Sequence, residues 1–182
     1  MKFVPTKFDT AWLIEPDCHE DERGFFARTW CQREFEEHGL NPDLVQCSVS
    51  FNNRRGTLRG MHFQVAPHEE AKLVRCSQGS IFDVIVDVRD GSPTFGEWQS
   101  FQLSAENRIS LYIPGGFAHG FQTLAPDSEV FYQMSEFFQP EAARGFHHAD
   151  SEVGITWPLE VEAISQNDTQ LPPLFSQKRA AA

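Results

Sequence analysis

Lys72-Leu73-Val74-Arg75-Cys76-Ser77-Gln78-Gly79-Ser80-Ile81-Phe82-Asp83-Val84-Ile85-Val86-Asp87-Val88 is the stretch whose reading decides the fold. Past Ser80, Phe82, Val84, Val86 and Val88 recur at every second position, which lines them along one face of a strand and along no single stripe of a helix. β-branched and aromatic side chains suit that pleated surface. Gln78-Gly79 interrupts the run, so Lys72 to Cys76 and Ser80 to Val88 read as the arms of a hairpin.

The same punctuation continues on either side. From about residue 45, turn signals fall at strand-length intervals: Asn52-Asn53, Asp90-Gly91-Ser92-Pro93, Pro114-Gly115-Gly116 and Pro126-Asp127. Many short strands so spaced indicate an all-β sandwich or closed barrel and not a βαβ fold. One segment, Thr29 to Gly39, reads as helix. Thr29 with Gln32 fits a capping box, and Gly39 suits the left-handed residue past a helix end. No repeat, linker or compositional break divides residues 1–182, so one domain is expected, with Lys178-Arg179-Ala180-Ala181-Ala182 as a frayed end.

Composition narrows the function. The chain has 182 residues, 40% of them hydrophobic, an ordinary value for a chain that buries a core. Its net charge of −11 argues against nucleic acid as a partner, because such a surface repels phosphate backbones. A small phosphorylated substrate stays compatible, since a few arginines and lysines in one pocket dominate locally. No apolar run reaches the roughly 18 residues of a membrane span, and Met1 to Lys7 lacks the apolar stretch of a secretory signal. Cys18, Cys31, Cys47 and Cys76 show neither C-x-x-C nor zinc spacing. Reduced thiols in a cytoplasm are the expectation, each thiol a small buried hydrophobe.

Two histidines sit in glycine-flanked apolar surroundings, His62 in Leu58-Arg59-Gly60-Met61-His62-Phe63-Gln64 and His119 in Pro114-Gly115-Gly116-Phe117-Ala118-His119-Gly120-Phe121. Each alone reads equally as a hydrogen-bonded core histidine. Together, G-x5-H from Gly56 to His62 and P-x-G-x2-H from Pro114 to His119 match the two cupin motifs, whose histidines point into one jelly-roll cavity. A metal there needs three or four ligands. Gln64 stands where a second histidine is usual, and Glu69 or Glu70 leaves the set incomplete, so no metal and no cofactor are expected.

The chain resembles the dTDP-4-dehydrorhamnose 3,5-epimerase family, metal-free enzymes on a cupin-type jelly roll, from Asp21 to about Pro173. The resemblance rests on motifs in order: Asp21-x-Arg23-Gly24-Phe25-Phe26, Leu58 to Gln64, and Lys72. Asp83-Val84-x3-Val88-Arg89, Ile113 to Phe121, Val130-Phe131-Tyr132, Trp157-Pro158 and Ile164-Ser165-x2-Asp168 follow. It implies inversion at C3 and C5 of a nucleotide-linked 4-keto-6-deoxy sugar, where the C4 carbonyl acidifies both hydrogens. Inversion needs a base and an acid on opposite faces of the ring. The family pattern makes His62 the base, Asp168 its orienting partner and Tyr132 the acid, with Lys72 and His119 at the enolate oxygen. Arg23 and Arg59 match diphosphate positions; Phe25, Arg28, Gln46, Ser48 and Asn167 match further substrate contacts. A homodimer is implied too.

Plainer readings exist for several of these. Lys72 reads also as a surface lysine, Asp168 as a turn cap and Tyr132 as a core tyrosine. Strict strand parity puts Arg59 and His62 on opposite faces unless Gly60 hosts a bulge. Arg28 replaces the family's glutamate, Ser48 an asparagine, Gln133 a lysine, Phe137-Phe138 a Tyr-Tyr pair, Ala143 a glutamate, His147-His148 an Arg-Trp pair and Asn167 a lysine. These departures leave the nucleotide open among dTDP, CDP and GDP, and inversion open at C3, C5 or both. The rivals from other classes are a metal-dependent cupin enzyme and a non-catalytic sugar-binding cupin.

Overall fold

The computed structural model describes residues 1–176, so the tail from Lys178 lies outside the described residues. Strands come in the order β1 (Lys2–Pro5), β2 (Trp12–Glu15), β3 (His19–Asp21), β4 (Gly24–Phe26), β5 (Gln46–Asn52), β6 (Leu58–Gln64) and β7 (Lys72–Gln78). After them run β8 (Ser80–Asp87), β9 (Trp98–Ser104), β10 (Ser110–Ile113), β11 (Phe117–Thr123), β12 (Ser128–Met134) and β13 (Ala143–Gly145). Two short helices, α1 (Gln32–Glu37) and α2 (Gln166–Thr169), interrupt them. A six-stranded sheet, β1-β2-β10-β7-β12-β5, faces a five-stranded one, β13-β6-β11-β8-β9, and β3 pairs only with β4. The result is the all-β sandwich expected from the strand spacing, in the jelly-roll form implied by the two histidine motifs.

Period two explains how β8 serves both faces of its sheet. Ile81 and Ile85 point inward to Val74, Leu111, Phe121 and Val130 in the core between the sheets. Phe82, Val84, Val86 and Val88 share the opposite face, as their spacing requires, and meet Phe146, Trp157 and Leu174 of the C-terminal segment. Fully burying each such side chain contributes about 1.5–3 kcal/mol, so this outer layer fastens the C-terminal segment to the sheet. On the other side of the molecule, Phe35 of α1 packs with Ile14, Leu73 and Tyr112.

Three sequence expectations change. β7 and β8 are not a hairpin: β7 pairs with β10 and β12, and β8 with β9 and β11. Gly79, at φ +75°, is instead the corner where the chain passes from one sheet to the other, and a Cβ there would meet Ser128 Oγ at 2.4 Å. A tight bend between two strand patterns serves either purpose; the partners decide. The helix begins at Gln32 with Cys31 as its uncapped first boundary. The proposed capping box does not form, because the N-cap falls on Cys31 and makes Gln32 the first helical residue, where it cannot reach back to Thr29 as a third one would. Gly39 does take positive φ, +69°. Of the cysteines, all free, only Cys76 is buried, which pushes its thiol up to about 11, while Cys47 is exposed. Two strands that the sequence reading missed, β1 and β2, extend the six-stranded sheet beyond β10.

Candidate active site

Strands of both sheets line a cavity of about 1010 Å³, at the upper end of the roughly 300–1,000 Å³ usual for small-molecule sites. Arg59, His62 and His119 come from β6 and β11 of the five-stranded sheet. Gln46, Ser48, Lys72 and Tyr132 come from β5, β7 and β12 of the facing sheet.

His62 and His119 are cross-strand partners. Opposite the three residues His119 to Phe121, β6 spends four, Arg59 to His62, because Phe121 pairs with Arg59. That extra residue is the bulge parity demanded, and it turns Arg59 and His62 into the same cavity. Gly60 makes it possible: at φ +119°, its backbone lies where a Cβ would meet Gly120 Cα at 2.6 Å.

Each histidine rests on a carboxylate. His62 Nε2 is 2.7 Å from Asp168 Oδ1, and the His62 side chain is 52% exposed to the cavity. Asp168 reaches it from α2, where its own backbone N–H donates to the Ser165 hydroxyl at 3.0 Å. Burial alone would raise the Asp168 carboxyl. The hydrogen bond and charge of His62, with donors from Gly60 and Ser165, outweigh it and hold the group below its ordinary value. His119 Nε2 is 2.8 Å from Asp83 Oδ2. Asp83 is fully buried and its other oxygen has no hydrogen-bond partner, so burial raises its carboxyl despite His119 and Lys72 nearby.

On the facing wall, the Tyr132 ring stands edge-on to His119, centroids 6.1 Å apart. Burial, and secondarily the Asp83 charge, pushes its hydroxyl well above the ordinary tyrosine value. Lys72 Nζ forms a 2.8 Å ion pair with Glu70, both nearly buried in the cavity wall. Ser48 and Asn167 line the cavity, as does Gln46, whose carbonyl accepts from the Phe138 backbone N–H at 2.6 Å.

Arg23, Phe25 and Arg28 are elsewhere: none lines this cavity. Arg23 is exposed and bonded to Asp21, Phe25 lies under the Arg108 guanidinium at 4.2 Å, and Arg28 donates to Glu34 at 3.1 Å. The cavity also holds groups not singled out as substrate contacts, among them Phe138 and Arg144. Asp83 lines no part of the cavity but supports His119 from behind, and its signal was available: a carboxylate between Ile81 and Ile85 on the inward face of a strand. The metal positions are otherwise engaged. Gln64 is 3% exposed and its amide bonds the backbone of His68, Phe137 and Gln139. Among the described residues no three His, Cys, Asp or Glu side chains gather as a ligand set.

A jelly roll enclosing an interior cavity, with the motif histidines paired across its wall, is the cupin class. Within that class, the profile of the dTDP-4-dehydrorhamnose 3,5-epimerase family matches residues 5–176. The chain is 44% identical over 176 residues to the dTDP-4-dehydrorhamnose 3,5-epimerase of Methanothermobacter thermautotrophicus, covering 95% of this chain and 94% of the relative. It superposes with TM-score 0.90 and 37% identity on a dTDP-6-deoxy-D-glucose-3,5-epimerase from Legionella pneumophila in complex with dTDP-4-keto-L-rhamnose, covering 96% and 93% of the two chains. A 3′-monoepimerase from Streptomyces bikiniensis in complex with dTDP-quinovose matches at TM-score 0.91 and 32% identity, covering 98% and 90%. The chain belongs to the dTDP-4-dehydrorhamnose 3,5-epimerase family, and is an isomerase.

Proposed function

We propose that the chain inverts C3 and C5 of a dTDP-linked 4-keto-6-deoxy-hexose by proton transfer through an enolate, with no cofactor. The observation that carries this is the His62–Asp168 dyad on one wall of a cavity and Tyr132 on the wall opposite. His62 takes the proton from the carbon beside the C4 carbonyl, and the C–H electrons move into the enolate. Asp168 stays ionised and steadies the imidazolium. Lys72 and His119 face the negative oxygen at C4. The Tyr132 hydroxyl, kept protonated by its burial, donates to the other face, and solvent restores both groups.

Arg59 takes the diphosphate. The nucleotide is dTDP, the one named for the relatives; the Arg28–Glu34 pair supports this, since it makes Arg28 a surface arginine and not a selectivity switch. The working unit is a homodimer. β5 is an edge strand with exposed Val49 and Phe51, and the β3–β4 hairpin pairs with neither sheet while exposing Phe26 at 76%. Such a hairpin, laid on a second copy, carries Arg23 and Phe25 toward that copy's cavity. The cytoplasm suits four unpaired thiols.

Proton NMR of dTDP-4-keto-6-deoxyglucose with the enzyme in D2O tests the reading. Deuterium entering at both C3 and C5, with inversion at both, is the expected result. Exchange and inversion at C3 alone would assign the chain to the 3′-monoepimerase activity of its Streptomyces relative. No exchange at either carbon overturns the proposal.

A further inference from the structure

We infer that Asn52 is the positioning residue that aims Arg59 at the diphosphate, an inference that rests on the reading of Arg59 as the phosphate contact. Asn52 ends β5 at the edge of the six-stranded sheet, 2% exposed, and it lines no part of the cavity. Its side chain has only one orientation that satisfies its surroundings. The Nδ2 group faces the backbone carbonyls of Ser50, at 3.2 Å, and Ser128, at 3.1 Å, together with the Ser50 hydroxyl at 3.3 Å. Carbonyls only accept, so that end must be the amine and the carbonyl end must point the other way. There it receives Arg59 Nε–H at 2.8 Å.

The consequence concerns the rest of the guanidinium. Arg59 is solvent-exposed on the bulged segment of β6. With Nε–H held by a fixed acceptor, the plane of the fork is set, and Nη1 and Nη2 have no protein partner among the described residues. A planar fork anchored along one edge presents its remaining donors in a constant direction, the geometry suited to phosphate oxygens. An untethered arginine would instead lose side-chain freedom on each binding event. Asn52 also bridges the two walls, since β5 and β6 belong to opposite sheets. The phosphate contact is therefore set from the wall that also carries Tyr132, through a residue that never touches the substrate.

The test compares Asn52→Leu, which removes both the acceptor and the donors at similar size, with Asn52→Asp, which keeps an acceptor for Arg59. Asn52→Leu should weaken dTDP binding by calorimetry and raise KM, each about tenfold, with kcat within about twofold, as loss of preorganisation requires. Asn52→Asp should recover most of that affinity. In an Arg59→Ala background, Asn52→Leu should have no further effect on dTDP binding. If Arg59→Ala itself leaves dTDP affinity unchanged, the diphosphate reading of Arg59 fails. If Arg59→Ala weakens binding and Asn52→Leu still adds its full tenfold on top, Arg59 stands and the positioning role of Asn52 is overturned. Should Asn52→Leu not fold, the natural protein answers by NMR. The Arg59 Nε–H, assigned by its disappearance in Arg59→Lys, should exchange more slowly than the Nε–H of exposed Arg144, and equal exchange rejects the tether.

Discussion

His62 has a tight partner in Asp168, but Asp168 transfers no proton to substrate, and the two should respond differently to mutation. His62→Asn should abolish deuterium exchange at both C3 and C5, a loss of at least about 10²–10⁴-fold, while Asp168→Asn costs less. Exchange surviving at one carbon would reveal a second base. Tyr132→Phe should separate two events that the natural enzyme couples, letting exchange continue while the product keeps its starting configuration. Inversion at the natural rate would reduce Tyr132 to a packing residue. The same variant reports on alkaline stability. Burial raises the Tyr132 hydroxyl above its ordinary 10.0, so its stabilisation is complete below that value. It is lost as the unfolded tyrosine ionises and pH climbs toward the folded value. Thermal melts between pH 9 and 11 should therefore fall less steeply for Tyr132→Phe than for the natural protein.

Helix α2 has four residues, and the Ser165 hydroxyl at its start holds the backbone of Asp168. Ser165→Ala should cost about 1 kcal/mol in urea unfolding and also lower kcat, because the carboxylate under His62 loses its footing. Thr29→Ala, at the capping box that does not form, should change neither. Gly60→Ala is expected to be severe, about 2 kcal/mol or more, because the backbone is left-handed there and pressed against Gly120. A Gly60→Ala protein of natural stability and activity would show that the bulge relaxes without harm. These elements also show what the sequence disclosed. β8 and its faces were legible because a run of alternating Val, Ile and Phe has one reading. The bulge was legible as a contradiction, two motif residues on the wrong parity with a glycine between them. The sheet-to-sheet corner at Gly79 was not, since bend chemistry is local and strand partners are not. Strands of three or four residues such as β1 and β3 are too short to display a period. Asp168 was visible only through its motif, because Ser165-Gln166-Asn167-Asp168 alone describes any capped turn.

Across the assembled molecule, the exposed edge of β5 and the detached hairpin make one prediction. Phe51→Asp, on a side chain 49% exposed in the single chain, should convert the dimer to monomer in light scattering. The cavity itself should stay intact, because Phe51 does not line it, whereas Ser48, Val49 and Ser50 do. If the hairpin serves a second copy, the monomer should bind dTDP about tenfold more weakly, and adding Arg23→Ala to it should change nothing more. A natural protein that is already monomeric in solution sinks the dimer reading. The site is otherwise a product of facing sheets, which put cationic side chains in a wall that also holds the acidic Glu70 and Asp168. A chain of net charge −11 gathers Arg59, Lys72 and Arg144 at one cavity, where they favour a phosphorylated anion locally against the charge of the chain as a whole. The base and its carboxylate, meanwhile, lie 106 residues apart in sequence. A ribosome makes His62 well before Asp168, and every strand of both sheets is synthesised before the dyad exists. A nascent chain that has already closed both sheets still holds His62 without its carboxylate, and chemical competence waits for α2.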